Sequence, residues 1–160
     1  SDRPKPMALI EGRPFMEYVV HELCRQGIED IVFAVGYKGS MVEEYFEDGR
    51  NFGARISYAY EKELLGTAGA IKNAGRLITE DQFLDPVPGT INGGVYLMDR
   101  TLLEEIPEGK VSLENQMIPL WLSQGKRLGG MVNDGYFIDI GIPEAYFQFQ
   151  EDVRKGVVTW

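Results

Sequence analysis

The stretch "IEDIVFAVGYKGSMVEEYFEDGRNFGARISYAY", residues 28–60, decides the fold. Ile31 to Val35 form a continuous apolar run of strand length, the pattern of a strand covered on both faces, and Gly36 ends it. Ser40 and Glu43 have capping-box spacing, which predicts a short helix from Ser40 to about Asp48, broken by Gly49 and Gly53. Residues 55–60, RISYAY, are rich in β-formers and partly alternating, so they predict the next strand. Strand, helix and strand in that order are the rhythm of a parallel α/β sheet.

Upstream, Pro14 suits the first turn of a helix over 14–26, where Phe15, Met16, Val19, Val20 and Leu23 recur at helical spacing until Gly27. His21 and Cys24 lie in this helix and read as packing or surface residues. Downstream, residues 61–78 give a loop and then a helix, with Ala70, Ile71, Ala74 and Ile78 expected on its buried side. The second half is less regular. It offers a strand over 89–98 entered through glycines, a short helix at 101–106, and a second capping signal of Ser112 with Asn115. That signal opens a helix to Gln124 with the apolar set Leu113, Met117, Leu120 and Trp121. A turn at Asn133-Asp134-Gly135 leads to a strand ending at Asp139, and Pro143 opens a final helix. That helix carries Tyr146, Phe147 and Phe149, which either meet a partner, leaving a homo-oligomer open, or close the domain's own core.

Two places break the pattern. The helix at 14–26 should follow a strand and, in a nucleotide-binding domain, a glycine-rich phosphate loop, and the sequence shows neither. In residues 80–90, Phe83-Leu84 begins an apolar strand and then meets Pro86 and Pro88. Proline cannot donate to a ladder, so a central strand cannot continue there.

Composition excludes several classes. With 160 residues, 44% of them hydrophobic, the chain has the core of about one domain. A net charge of -9 argues against general nucleic-acid binding, which needs a basic face to displace counterions. One cysteine excludes an internal disulfide, and one histidine excludes a multi-histidine zinc site. No stretch approaches the roughly 20 apolar residues of a membrane span, so a soluble, cytoplasmic protein with no membrane partner is expected. Any divalent metal would sit on carboxylates, as Mg²⁺ prefers.

The stretch most informative about chemistry is "YEKELLGTAGAIKNAG", residues 60–75. Gly66 and Gly69 would let the backbone approach a flat ligand, and Thr67 with the helix-start amides would donate hydrogen bonds. The same residues suit a tightly packed helix start, and both readings stay open. Neither a Walker loop nor a dinucleotide fingerprint is present.

Five segments occur in one order: residues 3–37, "YEKELLGTAGAI" (60–71), "INGGVYLMDR" (91–100), "SLENQMIP" (112–119) and "YFIDIGIPEAY" (136–146). Together they resemble the sugar-1-phosphate nucleotidyltransferases, and within them the guanylyltransferases that make GDP-mannose or GDP-D-glycero-α-D-manno-heptose. "GRPFMEYVV" leans toward the heptose enzymes.

The resemblance implies a three-layer α/β, Rossmann-like nucleotidyltransferase domain with a mixed, mostly parallel sheet. It implies transfer of a nucleoside monophosphate from an NTP, GTP by preference, to a sugar 1-phosphate, with Mg²⁺ as cofactor and pyrophosphate released. Lys5 matches the lysine of the family's P-K-P element, which touches the phosphates. Glu61, Leu65, Gly66 and Thr67 match the nucleotide-side loop. Glu61 either accepts hydrogen bonds from a guanine edge or is a solvated strand-end carboxylate. Asn92 and Gly93 match the sugar-contacting strand start. Glu114 matches a carboxylate near the sugar hydroxyls, although negative charge also suits the first turn of a helix. Asp139 matches the second metal-binding aspartate.

Departures from the family pattern accompany these matches. The glycine-rich signature with its arginine does not precede Pro4-Lys5-Pro6. A first metal aspartate does not follow Phe83-Leu84, where Asp85 to Thr90 stand instead, and a sugar-phosphate lysine is lacking. As written, 160 residues forming a single domain without these groups are expected to catalyse poorly, since each supplies charge stabilisation. Three readings follow: segments of the protein absent from this stretch, a degenerate or engineered enzyme, or a non-catalytic nucleotide-sugar binding or regulatory module.

Overall fold

The computed structural model describes residues 3–78, 82–86, 95–130 and 135–158. The chain divides into two compact units, Ser1–Tyr58 with Ile138–Trp160, and Ala59–Phe137.

The first unit opens with one 3-10 turn, Lys5–Met7. A hairpin follows, formed by β1 (Leu9–Ile10) and β2 (Arg13–Pro14), paired antiparallel. Glu11 and Gly12 at its tip both have positive φ, 47° and 86°, as a type I′ turn requires. This hairpin supplies the strand that α1 (Phe15–Arg25) should follow. Pro14 lies in the ladder just before α1 rather than inside its first turn, because its extended backbone pairs with Leu9. Gly27, at φ 84°, closes α1 as expected, with the Ile28 amide donating to the Leu23 carbonyl at 2.9 Å.

The βαβ rhythm is present as β3 (Asp30–Val35), α2 (Gly39–Phe46) and β4 (Arg55–Tyr60). β3 and β4 pair in one ladder. The Arg55 amide donates to the Glu29 carbonyl at 2.7 Å and the Arg55 guanidinium pairs with Asp30. The two strands therefore start side by side and run parallel. α2 begins differently from the expectation. Lys38, at φ 58°, turns the chain, and Ser40 lies within the first turn without capping it.

Val20, Ile31, Val35, Val42, Phe46 and Ile56 form one core, and Met7 anchors the opening turn in it. A second cluster joins Ile10, Tyr18, Ile140 and Phe149. Phe149 lies on α6 (Pro143–Arg154), edge-on to Phe15 and Tyr18 with ring centroids 5.6 Å apart. The final helix thus closes its own unit, while Phe147 is exposed. Glu17 is a buried carboxylate that accepts hydrogen bonds from Arg13 and from the Tyr45 hydroxyl of α2. Burial first, and this bond to Glu17 second, push the Tyr45 hydroxyl up to about 12. Cys24 packs against the first core and its thiol donates to the Gly53 carbonyl, while His21 lies 3.7 Å from Glu17 and edge-on to Phe52.

The second unit holds α3 (Gly66–Gly75), β5 (Gln82–Pro86), β6 (Val95–Asp99), α4 (Leu102–Glu105) and α5 (Ile118–Ser123). β5 and β6 pair antiparallel from Gln82↔Asp99 to Pro86↔Val95. β5 therefore runs past Leu84. Pro86 holds the last register position of a strand with one described neighbour, where no second ladder asks for its missing N–H. The described pairings are one parallel and two antiparallel, an α/β arrangement with mixed pairing.

The core of this unit includes Ala68, Ile71, Leu103, Ile106, Leu113, Met117 and Trp121. The buried side of α3 is Ala68, Gly69, Ile71, Ala74 and Gly75. Ala70 and Ile78, expected there, are half-buried, because the face is set by where the helix docks. The second capping signal is present: the Ser112 hydroxyl accepts from the Asn115 amide at 3.1 Å and opens one wide turn, Leu113–Met117. Leu120 is exposed. Residues 135–139 join no ladder among the described residues, so the strand expected up to Asp139 is not formed there. The turn residues Asn133 and Asp134 lie outside the described residues, as do 89–94 at the start of the strand expected over 89–98. Among the described residues no helix is long and apolar enough to cross a membrane.

Candidate functional site

Within the first unit, residues 134 apart in sequence meet. The Lys5 Nζ donates to Asp139 Oδ1 at 3.0 Å. Buried neighbours hold both: Met7 in the turn that carries Lys5, and Ile140 beside Asp139. The Gly141 amide donates to the same oxygen at 2.8 Å. A Cβ at Gly141 would lie 3.0 Å from Asp139 Oδ1 and 3.1 Å from the Lys5 Nζ, so glycine gives this pair its room. The Lys5 ammonium, with help from the Gly141 amide, holds the Asp139 carboxyl below the usual carboxylate range.

Lys5→Met is therefore expected to raise the Asp139 pKa toward the ordinary carboxylate value, followed by carboxyl-carbon NMR titration. A depressed folded-state pKa stabilises the protein above the unfolded value, near 3.8, and that stabilisation disappears as pH falls through the folded value. The acid-side loss should be smaller in the variant. Both side chains are more than a third exposed, 50% and 37%, so water screens the pair and the effect on stability is small.

Among the described residues no three His, Cys, Asp or Glu side chains converge as a metal cluster. Asp139 is a carboxylate, the type of ligand Mg²⁺ takes. Its Oδ1 carries the lysine and amide bonds, which leaves Oδ2 outside them. A Mg²⁺ ion held mainly by substrate phosphates needs only one or two carboxylates, so the residues present fit such an ion.

Within the second unit, the turn into α3 is built against residues 109–114. Gly66 has φ +69°, and a Cβ there would lie 2.6 Å from the Val111 carbonyl oxygen. A Cβ on Gly69 would lie 2.5 Å from the Gly109 carbonyl oxygen. The Ala68 and Gly69 amides both donate to the Val111 carbonyl, at 3.0 and 3.3 Å, and the Val111 amide donates to the Leu65 carbonyl at 2.7 Å. The close approach these glycines allow is thus made by the chain itself, and two of the helix-start amides are already bonded. Glu61 Oε2 accepts from the Leu65 amide at 3.2 Å, which ties it to the same turn. Thr67 Oγ1 donates to Glu114 Oε2 at 2.9 Å and accepts from the Leu113 amide at 2.8 Å. Glu61, Leu65, Gly66, Thr67 and Glu114 are therefore brought together, while Asn92 and Gly93 lie outside the described residues.

Beside this turn is a cavity of about 420 Å³, lined by Tyr60, Leu65, Lys72, Arg76 and Glu108 among others. Of the four residues matched to the nucleotide loop, Leu65 alone lines it. Lys72 pairs with Glu108 at 3.2 Å and donates to the Ile106 carbonyl. The sequence reading missed Lys72, Arg76 and Glu108. The i, i+4 spacing of Lys72 in α3 and Arg76 just past its end was the available signal.

The described residues form an α/β protein with mixed strand pairing. Its structure resembles that of HddC from Yersinia pseudotuberculosis, with a TM-score of 0.79 and 25% identity over 96% of this chain and 91% of that one. The chain belongs to the nucleotidyl transferase family, whose model matches residues 1–87. A second HddC structure, complexed with GMP-PN, matches with a TM-score of 0.77 and 26% identity over 96% of this chain and 91% of that one. A D-glycero-alpha-D-manno-heptose 1-phosphate guanylyltransferase of Aneurinibacillus thermoaerophilus is 31% identical, over 98% of this chain and 92% of that protein. A mannose-1-phosphate guanylyltransferase of Mycobacterium tuberculosis is 27% identical, over 96% of this chain and 60% of that longer protein.

Proposed function

We propose that this chain is a sugar-1-phosphate guanylyltransferase that transfers GMP from GTP to heptose or mannose 1-phosphate. The match along nearly its whole length to the heptose 1-phosphate enzyme of A. thermoaerophilus carries this reading. A phosphate oxygen of the sugar phosphate attacks the α-phosphorus of GTP. One P–O bond forms, the bond bridging the α- and β-phosphates breaks, and pyrophosphate leaves with the electron pair. The protein's work is then to place two anions and balance their charge.

Lys5 is the cation for the phosphates. It reaches them by leaving Asp139, whose carboxylate would then help hold Mg²⁺. When bound, that ion supplies positive charge to the phosphate oxygens. Glu61 would accept hydrogen bonds from the guanine N1–H and amino group through the oxygen that the Leu65 amide does not occupy. Leu65 and Gly66 shape the nucleotide side, while the Thr67 hydroxyl is engaged with Glu114. Glu114, together with Asn92 and Gly93, would meet the sugar.

In this reading the two compact units are halves of one nucleotidyltransferase domain. The alignment with the A. thermoaerophilus enzyme runs over 214 residues against 160 in this chain. This supports the view that the relative has internal stretches without a counterpart here, the region after Leu84 among the candidates. A cytoplasmic setting belongs to the same reading, supported by the single Cys24.

The test is to incubate the complete protein with Mg²⁺, each NTP in turn, and mannose or heptose 1-phosphate, and to measure pyrophosphate. Release with GTP and one of these sugars is expected. No release with any pair, alongside saturable binding of a GDP-sugar, would overturn the catalytic reading in favour of a binding or regulatory module.

A further inference from the structure

The family resemblance sets Thr67 on the nucleotide side, but in this structure its hydroxyl is turned to Glu114. A threonine hydroxyl has one hydrogen to donate and two lone pairs. Here the hydrogen goes to Glu114 Oε2 at 2.9 Å and one lone pair takes the Leu113 amide at 2.8 Å. The same carboxylate oxygen also accepts from the Ser112 hydroxyl at 3.2 Å. Ser112 is itself held, since its hydroxyl accepts from the Asn115 amide and side chain and its own amide donates to Gln116. Glu114 Oε1 takes neither hydroxyl.

The base of this arrangement is rigid. Ala68 and Leu113, the chain neighbours on either side of the bond, are fully buried, and the branched threonine has few rotamers to choose from. We infer that Thr67 is a positioning residue that fixes the Glu114 carboxylate by one oxygen and leaves the other to meet sugar hydroxyls. The inference rests on the guanylyltransferase reading and assigns the two sides of that site a physical link. Hydrogen bonds to an ionised acceptor are strong enough to set an orientation, and two of them on one oxygen set it twice. Any ligand that shifts the turn at Gly66 also shifts Glu114.

The test compares dissociation constants for GDP and for GDP-mannose, whose ring has the manno configuration, by titration calorimetry. Thr67→Val keeps the shape and removes the hydroxyl; Thr67→Ser keeps the hydroxyl. Thr67→Val should weaken GDP-mannose about tenfold while GDP stays within about twofold, and Thr67→Ser should restore GDP-mannose. Once Glu114→Gln has weakened GDP-mannose, adding Thr67→Val should cost little more, because the two act through one bond. Equal weakening of GDP and GDP-mannose by Thr67→Val would overturn the inference and make Thr67 a nucleotide contact or a purely structural residue. Unchanged GDP-mannose binding would overturn it too. Failure of the unsubstituted chain to bind either compound would instead sink the guanylyltransferase reading, a different and separable result.

Discussion

Gly66→Ala is expected to destabilise the protein by about 2–5 kcal/mol, read by urea denaturation. Two causes add. The backbone at Gly66 is left-handed, φ +69°, which costs an L-residue about 1–2 kcal/mol. The new Cβ would also stand 2.6 Å from the Val111 carbonyl oxygen, a backbone atom that cannot swing aside, and such overpacking costs about 1–3 kcal/mol. Relief requires the turn to back away from residue 111. That would stretch the Ala68 and Gly69 amide bonds to the Val111 carbonyl and loosen the Thr67 link to Glu114. Gly125 is the control: its φ is +77°, but nothing lies within 4 Å of its Cβ position. Gly125→Ala should cost only the backbone part, about 1–2 kcal/mol. Equal losses at the two positions would show that the contact with residue 111 is not tight.

Trp121→Ala should cost a similar amount, about 3–5 kcal/mol, as expected for emptying the site of a large core ring. Trp121 is 2% exposed and packs among Ile71, Leu103, Ile106, Leu113 and Met117. Its indole Nε1 is buried and has no hydrogen-bond partner among the described residues. An unpaired buried donor costs on the order of 1–3 kcal/mol, which Trp121→Phe removes while keeping an aromatic ring in place. The phenylalanine variant should therefore lose far less than the alanine variant, by about 2 kcal/mol or more in the difference. Equal losses would mean that the indole N–H has a partner in solution.

Local patterns made much of the fold legible. The apolar run at 31–35, the alternation at 55–60 and Gly27 needed only near neighbours, and their elements stand where periodicity places them. Legibility fell where a partner distant in sequence decides. Ser40 has capping spacing, yet a left-handed Lys38 starts α2 one residue earlier. Pro86 forbids a central strand, but β5 has one described neighbour and keeps its proline. Leu9–Ile10 is too short to announce itself as a strand until the positive-φ pair Glu11-Gly12 folds it onto Arg13–Pro14.

The candidate site divides in the same way. The sequence determined the class of chemistry through its resemblance to a family, carried by five segments in one order, and such an order is a one-dimensional pattern. Only the tertiary structure decided what those residues touch. Lys5 and Asp139 pair across 134 positions, and Thr67 and Glu114 across 47. Gly66 and Gly69 take in residues 109–111, where the sequence left both a flat ligand and tight packing open. The physical reason is the range of each constraint. Periodicity, turns and caps act within a few residues, whereas a hydrogen bond or a steric gap is satisfied by whichever group packing brings near, and packing has no signature at a fixed spacing.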